Sequence, residues 1–327
     1  MTPNNLEEQL TKYLTDAHSI EQQALVQMKL APKLAGDPQI AQAFSDHLTE
    51  TAEHERIVKE RLAARSANPS RIKDIAGAVT GAGFGVFAAA QPDTPGKLIV
   101  HAFSYEHMEE ATYDVLAIVA ERAGDAATAA AARRIEQQEH LMGDRLAGLF
   151  DRAVDASLRD RSPDDIGKQL DKYLADAHAI EGQSLKLLQK ATGLAGSSEL
   201  SDAYGEHRLE TEEHRKLVAA RLEARGSAPS KLKDAALRLG ALNWGAFFAA
   251  QPDTPAKLAA FAFAVEHLEC GAYEMLRRIA ERASDPDTVR MTEQILSQER
   301  AAAARIRSLF DQAIDAALEE QGVGSVS

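Results

Sequence analysis

Shifted by 160 residues, the chain reads itself again. LTKYLTDAHSIEQQAL at Leu10–Leu25 returns as LDKYLADAHAIEGQSL at Leu170–Leu185, and FAAAQPDTPGKL at Phe87–Leu98 returns as FFAAQPDTPAKL at Phe247–Leu258. A repeat of fixed period identifies the folding unit before any propensity is weighed. The 327 residues therefore divide into two copies, 1–158 and 164–320, each long enough to bury its own core. Arg159-Asp160-Arg161-Ser162-Pro163 forms the link. The repeat also aligns the sequence with itself, showing which polar residues both copies keep where neighbours differ. Eight of the ten histidines fall into four pairs, His18/His178, His47/His207, His54/His214 and His107/His267, with glutamates beside them in both copies.

The charge balance narrows the partners. A formal net charge of −13 argues against nucleic acid, whose phosphates require a basic surface, and suits a protein that attracts cations. The only cysteine, Cys270, excludes a disulfide framework and points to a reducing compartment. The opening residues MTPNNLEEQL lack the basic and apolar regions of a signal peptide. No run reaches the roughly 18 apolar residues of a membrane span. The expected location is the cytoplasm, with no membrane partner.

Aromatics make up only 5% of the chain, and the abundance of Ala, Leu, Glu, Gln and Arg favours helices. The first helix spans about Leu6 to Leu34 and ends at Gly36. Asp37-Pro38 then supplies a cap and first-turn proline for the second. That helix places Ile40, Phe44, Leu48, Thr51, Val58 and Leu62 on one stripe of period 3.6. Asn68-Pro69-Ser70 breaks the pattern. The apolar segments 75–91 and 235–251 follow and read as a short helix packed across the bundle or in an inter-domain contact. Asp93-Thr94-Pro95 opens the third long helix, which ends near Gly124, and Asp125 caps a fourth that runs to about Leu158. No strand alternation is present. Four long helices with one longer connection between the second and third predict an all-α fold: two tandem four-helix bundles, each with an extra short helix at that crossover.

The glutamates that both copies retain fall on all four long helices. Helix one carries Glu21/Glu181. Helix two carries His47-x-x-Glu50-x-x-Glu53-His54, repeated as His207-x-x-Glu210-x-x-Glu213-His214. Helix three carries Glu106-His107-x-Glu109, repeated as Glu266-His267-x-Glu269, with Tyr113/Tyr273 one turn on; helix four carries Glu139/Glu299. Residues three or four apart share a helix face, so Glu50 can meet His54 and Glu106 can meet Glu109. Carboxylates aimed into a bundle core are costly unless paired or bound to metal. One glutamate from each helix, with further ligands a turn along, predicts a carboxylate-bridged dinuclear metal site. Its ligands are Glu21, Glu50, His54, Glu106, Glu109 and Glu139 in copy one, and Glu181, Glu210, His214, Glu266, Glu269 and Glu299 in copy two. Oxygen ligands with imidazole favour iron, manganese or zinc over calcium. His18, His47 and His107 read instead as satisfied buried histidines or supports, and Tyr113/Tyr273 as core packing with a bonded hydroxyl.

DAHSIEQQ, HLTETAEHERI, YEHMEEATY and EHLMGDRL resemble the YciE/YciF-type family of ferritin-like stress proteins, across essentially the whole of each copy. That resemblance implies a ferritin-like bundle with a helix inserted at the crossover and a dinuclear metal site. It also implies a dimer of bundles, here an intramolecular pseudo-dimer that could associate further as a homo-oligomer. The glutamates it points to are Glu21, Glu50, Glu106, Glu109 and Glu139 with their copy-two counterparts. Two departures from the wider ferritin-like pattern stand out. The helix-two histidine falls four residues after Glu50 rather than three, and helix four has Met142 and Ala302 where a histidine would follow Glu139 and Glu299. Copy one has Glu136 and His140 near Glu139, whereas copy two has Leu296 and Arg300. The expectation is two iron or manganese ions per bundle, with copy one the better binder.

Three functions fit these residues. One is a dinuclear metal protein that oxidises Fe(II) or consumes peroxide or oxygen in stress protection, with Glu50 and a helix-three carboxylate as bridges. Another is a metal-free or vestigial bundle acting as a structural or interaction protein. The third is metal sequestration without turnover.

Overall fold

The computed structural model describes residues 6–68, 94–159, 161–229 and 253–323. Within them every regular element is an α-helix. The chain divides into two compact units between Arg159 and Asp160. Bundle one comprises α1 (Leu6–Leu34), α2 (Pro38–Ala64), α3 (Thr94–Arg122), α4 (Ala126–Ala147) and α5 (Phe150–Leu158). Bundle two repeats the order as α6 (Pro163–Ala191), α7 (Ser198–Ala224), α8 (Thr254–Arg282), α9 (Pro286–Ser308) and α10 (Phe310–Glu320). In each, the first two long helices pack as a hairpin, as do the third and fourth. The hairpins meet chiefly through the first and third helices. This is the tandem helical-bundle architecture that the repeat predicts. The crossover segments 75–91 and 235–251 lie outside the described residues. Among the described residues no helix is long and apolar enough to cross a membrane.

Tight turns set the hairpins. Gly36 adopts φ +67°, and a Cβ there would stand 2.6 Å from Pro95 Cγ, so both backbone sign and space require glycine. Asp37 then caps α2 by accepting from the backbone N–H groups of Gln39 and Ile40 at 2.8 and 3.2 Å. The turn between the third and fourth helices differs between copies. Gly124 takes φ +72°, but its counterpart Ser284 takes φ 55° with a side chain attached. Left-handed backbone costs a non-glycine residue about 1–2 kcal/mol.

The fourth helix is shorter than the sequence pattern predicts. It stops at Ala147, and Leu149, at φ −104° and ψ 0°, redirects the chain into α5. Gly148 is the weak point in bundle one, but bundle two breaks at Leu309 with Ser308 before it, so glycine is not the cause. Packing is. The break turns Phe150 onto Phe103 of α3, with ring centroids 5.4 Å apart, and Phe310 onto Phe263 of α8 at 5.9 Å. Both phenylalanines are buried, and edge-to-face packing of this kind adds to their burial.

Asp285 closes the far end of bundle two. It caps α9 through the Thr288 N–H at 3.0 Å while Arg221 and Arg225 reach it at 2.5 Å. Burial pushes its carboxyl up, but the Arg221 bond, the Thr288 N–H and Arg225 outweigh that and hold it down at about 2. The folded value lies below the ordinary 3.8. The stabilisation is therefore present above pH 3.8 and lost as the pH falls through about 2. Asp285→Ala is expected to cost about 2 kcal/mol at neutral pH in urea unfolding of the full chain, a difference that shrinks as the carboxyl protonates. Ser284→Gly is expected to stabilise bundle two by about 1 kcal/mol in the same assay, through relief of the left-handed strain.

Candidate metal centre

Six side chains of bundle one, drawn from its four long helices, turn inward to one level. They are Glu21 on α1, His47 and His54 on α2, Glu106 and Glu109 on α3, and Glu139 on α4, each at most 1% exposed. Helical periodicity explains the convergence. His47 and His54 are seven residues, two turns, apart, and Glu106 and Glu109 differ by one turn. On α2 the buried stripe runs Phe44, His47, Thr51, His54, Val58, with the Thr51 hydroxyl bonded back to the His47 carbonyl at 2.9 Å.

The six form two groups that share one carboxylate. His47, Glu106, Glu109 and Glu139 offer ligand atoms within 4.8 Å of one another, and so do Glu21, His54 and Glu139. Glu139 belongs to both. Bundle two has the same arrangement: His207, Glu266, Glu269 and Glu299, then Glu181, His214 and Glu299. Around each group a ring of outer contacts fixes the ligands. His47 Nδ1 lies 2.9 Å from Glu50, so that carboxylate holds the outer ring nitrogen and Nε2 faces the cluster. His54 Nε2 is held by Gln138 at 3.2 Å. The Tyr113 hydroxyl donates to Glu21, and Tyr273 to Glu181. His207 and His214 repeat the pattern with Glu210 at 3.0 Å and Gln298 at 3.1 Å.

Inside that ring the polar atoms face one another without hydrogen bonds. Both oxygens of Glu106, Glu109 and Glu139, one of Glu21, and the inward nitrogens of both histidines have no hydrogen-bond partner. His47 Nε2 approaches Glu106 to 2.9 Å and Glu139 to 3.4 Å, and His54 Nδ1 approaches Glu139 to 2.7 Å. These contacts are short ion-pair distances that do not meet hydrogen-bond geometry. Four carboxylates so enclosed repel strongly. Burial, then the neighbouring Glu139, lifts the Glu21 carboxyl to about 8. Burial lifts Glu106 to about 7, and burial with repulsion from Glu139 and Glu21 sends Glu109 well above the carboxylate range. Glu139 goes the other way. Burial favours its protonation, yet His47 and His54 outweigh that and hold it at about 2. Without a cation, protons must be shared across the cluster to offset the charge. Two divalent ions would balance four carboxylates with both imidazoles neutral, so the donor set fits a dinuclear centre of hard or borderline ions.

Most of the expected ligands are brought together, with one exchange. Glu50 and Glu210 stand outside the cluster, their side chains 45% and 30% exposed, on the outer nitrogens of His47 and His207. The histidines take the inner places because they continue the buried stripe of spacing three and four, in which Leu48 is only half-buried. That spacing is present in the sequence itself. The shared carboxylate comes from the fourth helix and not from the second or third. The residues on which the expected inequality of the copies rests lie away from the inner groups. Arg300 points outward, 61% exposed and paired with Glu274, and Glu136 pairs with Arg133 at 3.1 Å. The residues that differ lie outside the cluster, and the six inner ones match.

A family model described as "Domain of unknown function (DUF892)" matches residues 5–159 and again 166–319, nearly the whole chain. The chain belongs to that family. DUF892 is a family of ferritin-like fold, and here the domain occurs twice. No curated protein and no solved structure matches the chain. The buried His/Glu groups of both DUF892 domains could each hold metal ions.

Glu50 and Glu139 therefore have separable roles. Glu50→Ala with Glu210→Ala, which removes only the carboxylates behind His47 and His207, should weaken metal binding about 10–100-fold without changing the number of ions bound at saturation. Glu139→Ala with Glu299→Ala should abolish binding at both inner centres, as read by metal analysis after equilibrium dialysis. Equal losses from the two pairs would return Glu50 to the ligand set.

Proposed function

We propose that each bundle is a carboxylate-bridged dinuclear metal protein of the YciE/YciF type, holding two iron or manganese ions and oxidising Fe(II) or consuming peroxide or oxygen in stress protection in the cytoplasm. One observation supports the reading: six buried His and Glu side chains from four helices form two groups that share Glu139, and most of their inward atoms make no hydrogen bond. Bound there, the metal ions would supply the Lewis acidity and redox chemistry that amino-acid side chains lack. Ion one would take His47, Glu106 and Glu109, and ion two Glu21 and His54, with Glu139 between them. The chain's own residues do the rest. Buried apolar residues of the same helices, such as Leu14, Phe44 and Ile135, keep bulk water out of the bundle core. Tyr113 orients Glu21, and the half-exposed Glu50 contacts His47 Nδ1, linking the enclosed cluster to solvent for proton exchange.

The alternative of a metal-free structural bundle has its own support, because the imidazole contacts to Glu106 and Glu139 offset part of the charge without any ion. Metal content and turnover together decide. The chain purified from iron- and manganese-supplemented culture is expected to carry about two ions per bundle. It should oxidise Fe(II) or consume peroxide at a rate that Glu139→Ala with Glu299→Ala abolishes. Metal-free protein of unchanged stability would favour the structural reading. Bound metal without turnover above the double variant would favour sequestration.

A further inference from the structure

One residue beyond each of three inner ligands stands another metal-binding side chain. His107 follows Glu106, Glu110 follows Glu109, and His140 follows Glu139. A step of one residue rotates about 100° around a helix, so this trio faces the seam between α3 and α4 while the inner ligands face the core. The three offer ligand atoms within 4.8 Å of one another. Both imidazoles turn Nδ1 to the same carboxylate, His107 in a hydrogen bond of 2.7 Å and His140 at 3.2 Å, so a cation there would take the place of the protons that now hold the trio. Glu110 is buried and His107 nearly so, but half of the His140 side chain is exposed, which leaves a way in from solvent. The outer nitrogen of His140 lies 3.8 Å from Asp144.

Bundle two contains the counter-example. His267 is retained, but Cys270 replaces Glu110 and Arg300 replaces His140, so the carboxylate is lost and a fixed positive charge stands in place of an imidazole. A third difference concerns space. The His107 ring lies against Gly143, where a Cβ would come within 3.0 Å of Nε2 and 3.1 Å of Cε1. Bundle two has Ala303 there, and His267 instead places Nδ1 2.8 Å from the Phe263 carbonyl. Carboxylate, second imidazole and the glycine that admits the first imidazole are present together in one bundle and absent together from the other.

We propose that His107, Glu110 and His140 form a mononuclear site for a divalent transition-metal ion, present in bundle one only and separate from the dinuclear centres. Two imidazoles and a carboxylate are the donor set that borderline ions such as zinc, cobalt and iron accept, and three protein ligands leave coordination positions open. The copies of this duplicated chain then differ in metal capacity by one ion, through the seam and not through the core.

Cobalt(II) provides the test, because its visible absorption reports a bound ion and the ions can be counted after dialysis. It is added to the full chain carrying Glu139→Gln and Glu299→Gln, which remove the shared inner ligands. This chain should retain one ion with visible bands. His140→Arg, a residue that bundle two already accommodates at this place, should weaken that binding at least tenfold, and Glu110→Gln should do the same. Cys270→Glu, Arg300→His and Ala303→Gly together should add one ion. No cobalt in the inner-site double variant, or cobalt indifferent to both His140→Arg and Glu110→Gln, would overturn the proposal. Failure of the dinuclear reading is distinguishable, since a wild-type chain binding a single ion, lost in His140→Arg, would leave the seam site standing.

Discussion

Enclosing negative charge is the constraint around which each bundle is organised. Glu139 sits between two histidines and three other carboxylates with no water-facing surface. An isolated carboxylate in such a place is costly, and four of them are tolerable only if protons or metal ions supply compensating charge. The helices must therefore be in register to within a turn, because a slip in any one would take a carboxylate or an imidazole out of the shared centre. The glycine turns, the aspartate caps and the break before α5 all serve that register by fixing where each helix begins and how it lies on its neighbour.

The outer contacts show how the centre is kept specific. Glu50, Gln138 and Tyr113 each touch an inward His or Glu from behind, so ring orientation and carboxylate rotamer are held without any ion. Preorganisation of this kind spares the cost of ordering side chains on binding. It also gives the half-exposed Glu50 influence over a centre it does not enter.

Much of this was legible in the sequence. Four helices per copy, the turns at Gly36 and Gly124 and the inward Glu21, Glu106, Glu109, Glu139 and His54 follow from periodicity and from what both copies retain. The inward place of His47 is hard to read from the sequence because Leu48, apolar and next to it, continues the same stripe, although the structure leaves Leu48 only half-buried. The break before α5 has no reliable local signal: glycine precedes it in one bundle and serine in the other. Only the partners, Phe103 and Phe263 on a different helix, decide it, and those contacts are non-local. Positions 140 and 300 differ in sequence between the copies but lie outside the inner groups, because adjacent residues on a helix face different surroundings.

The exchange of residues at matching turns carries a consequence of its own. Ser66 and Gly226 occupy corresponding left-handed positions, as do Gly124 and Ser284, so each half holds the better residue at one turn and the worse at the other. Identical subunits encoded once could never diverge in this way, because every change would appear in both. A duplicated chain can test a substitution in one half while the other preserves the working version, and the two versions are always made in a one-to-one ratio.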